Sequence, residues 1–377
     1  MTTHQPHGIV PPHLLQHLAD SADTDVAEAA RRTLELSVDI SVQREYRAAR
    51  ADQSGLIPPQ LRDRARSHRT TGTELRDVTA PSAPGEPGPQ RTIYTANQGT
   101  TLPGTKVRAE GQSPVADESA NEAYDGLGDT FALYWQAFQR NSLDNKGLPL
   151  IATVHYDKQF DNAYWDGQQM VFGDGDGVYF SSFTDSVDVI GHELTHGVTQ
   201  YTAGLTYVAQ PGALNESMSD CFGSMVKQWV KGQTAQQADW LIGEGLFTAK
   251  VNGVALRSMK APGTAYDDPH LGKDPQPADM TGYQDLPHDS AHDNGGVHIN
   301  SGIPNRAFYL AATGIGGSSW EGAGRVWYAV LTGGKLAKDV DFKGFAQATI
   351  DTAGQLFGAS SSQRDAVSEA WTTVKVL

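Results

Sequence analysis

The spacing of apolar residues changes period along this chain. From Leu14 to about Arg50, Ala27, Ala30, Leu34 and Leu36 recur at helical spacing and predict one amphipathic helix. Thr92 to Arg108 alternates in a strand-like way. Asn121 to Arg140 returns to the helical period, with Phe131, Leu133, Tyr134, Trp135 and Phe138 forming a broad apolar face. Leu150 to Tyr156 reads as a strand, and Gln169 to Phe183 as strand and loop around the Gly173–Gly177 run GDGDG. Helical patterns then follow one another over about 185–203, 211–230, 299–313, 320–332, 342–356 and 361–375. A β-rich half followed by an α-rich half predicts an α+β molecule of two lobes, joined near the first of these helices.

The first 90 residues differ in composition, with ten arginines and no lysine before Lys106. They open with Pro11-Pro12-His13-Leu14-Leu15, pass through Ile57-Pro58-Pro59 and end in the Pro/Gly/Ser run Ala80 to Gln90. That run carries no apolar periodicity and reads as an exposed, cleavable linker. The expected division is therefore 1–90, 91–203 and 204–377. A net charge of −15 makes nucleic acid a poor default partner. The single cysteine, Cys221, excludes an internal disulfide and reads as a core residue. No run of 18 apolar residues predicts a membrane span. Met1 to Val10 lacks the build of a Sec leader, so the expectation is a cytoplasmic precursor or leaderless export.

The chemistry concentrates in Val189-Ile-Gly-His192-Glu193-Leu194-Thr195-His196-Gly197. Positions four apart share a helix face, so His192 and His196 can reach one zinc ion, with Glu193 beside it as proton acceptor. A catalytic zinc takes three protein ligands and keeps one position open. Glu216, in Asn215-Glu216-Ser217-Met218-Ser219-Asp220 on the next predicted helix, is the candidate third. Asp220, one turn further on, suits the outer nitrogen of His192. Without the upstream histidine pair, Glu216 and Asp220 would read as solvated helix charges.

HELTH, then NESMSD, then Asp293-Asn-Gly-Gly-Val-His298-Ile-Asn-Ser-Gly302 resembles the thermolysin-like neutral metalloproteases over about 91–377. The Pro11–Leu15 motif resembles that family's short-propeptide, protealysin-like branch. The resemblance implies a two-lobed zincin preceded by a short helical propeptide. It also implies a zinc endopeptidase, made as an inactive precursor, that cuts on the amino side of bulky hydrophobic residues. It assigns His192, His196 and Glu216 to one zinc ion, and Glu193 to activating the water on it. Tyr207 and His298 would stabilise the oxyanion, with Asp293 orienting His298. Asn162, Ala163 and Trp165 fall in the edge-strand segment that pairs with substrate backbone, and Arg257 would hold a substrate carbonyl. Phe180, Phe183, Val189, Ile242 and Leu256 fall where the family lines an apolar pocket, although each alone reads equally as core.

Family members often carry a double calcium site. Here Asp188, Asp239 and Glu244 stand at matching positions, but Lys227 and Leu241 replace expected acids, and Val254 replaces an acid of a second site. The expectation is that the Lys227 ammonium takes the place of calcium. GDGDG lacks the later glutamate of an EF-hand and reads as a turn. Residues 1–90 are expected to fold against the cleft as an intramolecular inhibitor, with a disordered tail as the alternative. Two other readings stand beside the protease: a non-catalytic protein retaining the scaffold, and a zinc hydrolase of non-peptide amides. No nucleic-acid or membrane partner is expected.

Overall fold

The computed structural model describes residues 8–37 and 87–377. Most of the Pro/Gly/Ser linker, Ile57-Pro58-Pro59 and the expected helix beyond residue 37 lie outside the described residues.

The single amphipathic helix expected from Leu14 is instead two. Helix α1 spans Pro12–Ala19, with proline in its first turn where the missing N–H costs nothing. The chain then breaks at Asp20-Ser21-Ala22-Asp23 and is helical again over 24–37 (α2). Asp23 accepts at Oδ1 from the Asp25 amide, so it caps the new helix and competes with continuation of the old one.

Strands β1 (Arg91–Thr95), β2 (Thr105–Ala109), β3 (Leu150–Val154), β4 (Ala163–Trp165) and β5 (Met170–Phe172) form a sheet of order β2-β1-β3-β5-β4. The β1–β3 and β3–β5 pairs are parallel and the flanking pairs antiparallel. β4 is thus an edge, with one row of backbone groups left for another extended chain. Helix α3 (Glu118–Phe138) is capped by Asp117, whose side chain accepts from the Ala120 amide, and it buries Leu127, Phe131, Leu133 and Tyr134.

Helices α4 (Val187–Gln200) and α5 (Ala209–Lys231) form the centre. They approach so closely that a Cβ on Gly223 would lie 2.4 Å from the Asp188 carbonyl oxygen and 3.0 Å from the His192 nitrogen. Only glycine permits this contact, and it draws the acids of α5 onto the histidines of α4. The remaining helices are α6 (Asp293–Asn300), α7 (Gly302–Ile315), α8 (Ala323–Thr332), α9 (Phe342–Phe357) and α10 (Ser362–Thr373). Trp327, Trp371, Phe345 and Phe308 knit α7–α10 together. One continuous apolar cluster runs through both lobes and takes in Ile9, Leu14, Leu15 and Leu18 from the N-terminal segment. Among the described residues no helix is long and apolar enough to cross a membrane.

Candidate active site

His192 and His196 lie one turn apart on α4 and are fully buried. The Nδ1 atom of His192 is 2.8 Å from Asp220 Oδ1, and that of His196 is 2.9 Å from Asn215 Oδ1. Asp220 is held ionised, since Arg257 and His192 outweigh the burial that works against its charge. Asn215 donates its amide to the Leu205 carbonyl, which turns its oxygen toward His196. Both partners are therefore acceptors, both Nδ1 atoms carry the proton, and both Nε2 atoms present lone pairs.

Those two Nε2 atoms face each other at 3.1 Å. Glu216 lies 3.5 Å from one and 3.4 Å from the other through its two carboxylate oxygens, and its Oε2 accepts no hydrogen bond from the described residues. Three electron-pair donors converge, an arrangement that repels itself unless a cation sits among them. A nitrogen–nitrogen–carboxylate set suits zinc. Glu193 competes for the third place, because its carboxylate and the two histidines lie within 4.8 Å of one another. However, Glu193 Oε2 accepts the Trp165 amide at 2.9 Å, whereas Glu216 faces both rings, so Glu216 is the better third ligand.

Helix α6 begins abruptly. Asp293, Asn294, Gly295 and Gly296 all have positive φ, and this kink folds Asp293 back beneath His298. Asp293 accepts from the His298 amide at 2.8 Å, and its other oxygen lies 2.6 Å from His298 Nδ1. Burial works to strip the proton from His298, but the carboxylates of Glu216 and Asp293 outweigh it and raise the imidazole to about 9. A cation on Glu216 would cancel part of that pull and leave Asp293 as the main support. Tyr207 donates its hydroxyl to Glu216 Oε1 and lies 3.3 Å from His298 Nε2.

Residues 8–10 run through this site as a bend that leads into α1. The Gly8 carbonyl lies 3.1 Å from His298 Nε2. The Ile9 amide donates to the Ala163 carbonyl at 3.1 Å, and the Ile9 carbonyl accepts from Arg257 Nη1 at 3.0 Å. The Val10 amide donates to Asn162 Oδ1 at 3.0 Å. A Cβ on Gly8 would lie 2.6 Å from Asn162 Oδ1, so a larger residue would displace the amide that holds Val10. The segment thus meets the β4 edge through one backbone bond, to Ala163, and one side-chain bond, to Asn162. The Ile9 side chain is fully buried, in the same apolar cluster as Phe180, Phe183, Val189, Ile242 and Leu256. Two residues on, His13 is buried with Nε2 2.9 Å from the Tyr266 hydroxyl.

Trp165 takes a different place from its neighbours in the expected segment. Its indole lies against α4 and donates to Gln200 at 3.2 Å, so through its amide it supports Glu193 and leaves the strand edge to Asn162 and Ala163. Elsewhere on the same helix pair, Lys227 Nζ lies 3.7 Å from Asp188, 3.0 Å from Asp239 and 3.2 Å from Glu244, and donates to the Leu241 carbonyl. In the GDGDG loop Asp176 Oδ1 accepts from the amides of Val178, Tyr179 and Phe180, closing a turn.

Several of these partners escaped the sequence reading. Asn215 stands beside Glu216 but carries no pattern of its own. Gly8–Val10 likewise gave no local signal, because it reaches the site through contacts with segments distant in sequence.

Comparison with known proteins follows the same lines. Residues 203–376 match the family described as thermolysin metallopeptidase, alpha-helical domain, and residues 61–200 that described as thermolysin metallopeptidase, catalytic domain. An extracellular metalloprotease of Pectobacterium carotovorum subsp. carotovorum is 55% identical over 286 residues, covering 76% of this chain and 81% of its own. Neutral protease NprE of Bacillus pumilus is 39% identical over 303 residues, covering 80% and 90%. Among solved structures, the precursor of protealysin, a metalloproteinase from Serratia proteamaculans, superposes with a TM-score of 0.82 at 47% identity, covering 98% of this chain and 100% of that one.

Proposed function

The chain belongs to the thermolysin family of metallopeptidases and is a zinc endopeptidase in precursor form, and on that premise we propose a division of labour among its residues. His192, His196 and Glu216 hold the zinc. When bound, the ion supplies a Lewis acid and brings the pKa of a coordinated water to about 7. Glu193, aimed by the Trp165 amide, accepts a proton from the attacking water and passes it to the leaving nitrogen. Tyr207 and His298 donate to the developing oxyanion, and Asp293 keeps His298 a donor. Loss of one such donor costs on the order of a hundred- to thousandfold in rate.

The path of Gly8–Val10 supports the substrate register. His298 takes one carbonyl, Ala163 accepts the next amide, Arg257 takes the next carbonyl, and Asn162 accepts the amide after it. The residue supplying the amide of the broken bond then falls where Ile9 lies buried, which favours cleavage before bulky hydrophobic residues. The same contacts make residues 1–90 an intramolecular inhibitor: substrate cannot enter while Gly8–Val10 holds these donors and acceptors. At Lys227 the ammonium stands in for a calcium ion. Burial works against its charge, but Asp188 and Asp239 outweigh this and keep it protonated.

One observation carries the reading: the two imidazole Nε2 atoms face each other at 3.1 Å, with the Glu216 carboxylate 3.5 and 3.4 Å from them. The test measures zinc content and casein cleavage of the purified protein, with and without a chelator, against Glu193→Ala. One zinc per chain, chelator-sensitive cleavage and an inactive Glu193→Ala protein that retains zinc are expected. Cleavage that survives complete removal of metal would overturn the assignment.

A further inference from the structure

Asp220 is an anchor shared by two parts of the active site. Its Oδ1 faces His192 Nδ1 at 2.8 Å and accepts from Arg257 Nη2 at 2.8 Å. Its Oδ2 accepts from Arg257 Nε at 2.8 Å and from Asn305 Nδ2 at 2.7 Å. The carboxylate therefore sets both the ring of a zinc ligand and the guanidinium that holds the Ile9 carbonyl. Arg257 grips it in the plane of its fork, which fixes the plane but leaves it free to slide with the arginine. Asn305 is the donor that comes from neither α4 nor the short strand Arg257–Ser258: it stands on α7, four residues after Ser301.

The orientation of Asn305 is unambiguous, because an ionised carboxylate only accepts and the amide nitrogen must face it. Its other end is orphaned: Asn305 Oδ1 is buried and has no hydrogen-bond partner among the described residues. An unsatisfied buried oxygen of this kind costs roughly 1–3 kcal/mol. A leucine would fill the same volume without that orphaned oxygen but would take a donor from the buried Asp220 carboxylate, so what asparagine adds here is its bond to Asp220. Building on the zinc peptidase reading, we propose that Asn305 is a positioning residue, whose amide pins Asp220 so that one carboxylate aligns His192 for the metal and Arg257 for the substrate.

The test follows zinc retention in the full chain and steady-state kinetics after self-processing, for Asn305→Leu and Asn305→Ser. Loss of an outer partner of a metal ligand typically costs 10- to 100-fold in metal affinity or activity. Asn305→Leu is expected to release zinc to a competing chelator about tenfold more readily and to raise KM through Arg257. Asn305→Ser keeps a donor and should recover most of both. A folded Asn305→Leu protein with unchanged zinc retention and unchanged KM overturns the proposal, as does one whose only change is its melting temperature. If Asn305→Leu does not fold, the near-isosteric Asn305→Asp decides: it turns an acceptor toward Asp220, and zinc retention equal to the wild type refutes the idea. A wild-type chain without zinc would instead overturn the peptidase reading itself, so the two failures are distinguishable.

Discussion

Helices α4 and α5 carry two clusters of ionisable groups, and the two solve the same electrostatic problem in opposite ways. Around His192, His196 and Glu216 the chain gathers lone pairs and supplies no cation of its own. One turn earlier on α4, Asp188 joins Asp239 and Glu244 around the Lys227 ammonium. The first arrangement needs an external ion, which brings Lewis acidity and an open coordination position. The second has its cation covalently attached, saturated by carboxylates and the Leu241 carbonyl, with nothing left over for chemistry. A resident charge stabilises; an imported one can react.

The largest expected effect breaks the first cluster alone. Glu216→Leu removes a ligand, and its loss in zinc affinity should exceed the roughly 10- to 100-fold that follows loss of an outer partner. Activity should disappear with the metal, as read by zinc content and casein cleavage. The Lys227 cluster should not respond.

The converse lesion is Lys227→Met. It leaves Asp188 buried without its counter-charge, and breaking a buried pair in this way costs about 3–5 kcal/mol. Denaturant unfolding should register that loss while zinc content stays at one per chain. Calcium sharpens the contrast. It should leave the wild-type melting temperature unchanged, and should raise that of Lys227→Glu, where acids face one another as the histidines and Glu216 do. A wild-type chain whose melting temperature climbs with calcium would show that the ammonium does not stand in for the ion.

What could be read from the sequence divides along the same line. The histidine pair was legible because His192 and His196 lie within one helical turn, where spacing is geometry. The opposing carboxylate came from a helix that glycine draws close, and Gly223 gave no sign of that until the Asp188 carbonyl was seen beside it. The order of β-rich and α-rich halves was legible from periodicity. The break at residues 20–23 was not, because capping by Asp23 overrode an amphipathic pattern that continued on both sides. Contacts between distant segments were the least accessible. Gly8 meets His298 and Asn305 meets Asp220 through pairings that no local pattern encodes.

His13 offers a third way of handling charge in the same cleft, and the smallest of these effects. It holds neither an imported nor a resident cation: burial drives its pKa from 6.5 down to about 4, so it sits neutral against Tyr266. Asp293 pulls the other way, while His298, His17 and Arg257 add to the effect of burial. The undocked segment has an ordinary histidine and binds a proton that the docked form refuses. Docking is therefore at full strength above pH 6.5 and weakens as the pH falls toward about 4, by roughly 3 kcal/mol across the window. Hydrogen exchange of residues 8–18 in a full-length Glu193→Ala chain, which cannot process itself, measures this. Their protection, corrected for intrinsic exchange, should fall through that interval relative to the core of α5. His13→Gln keeps a partner for Tyr266 but does not titrate, so its protection should stay flat. An equal slope in both chains would assign the acid sensitivity to the zinc site, and the docking of the N-terminal segment would then rest on Ile9 and the strand edge alone.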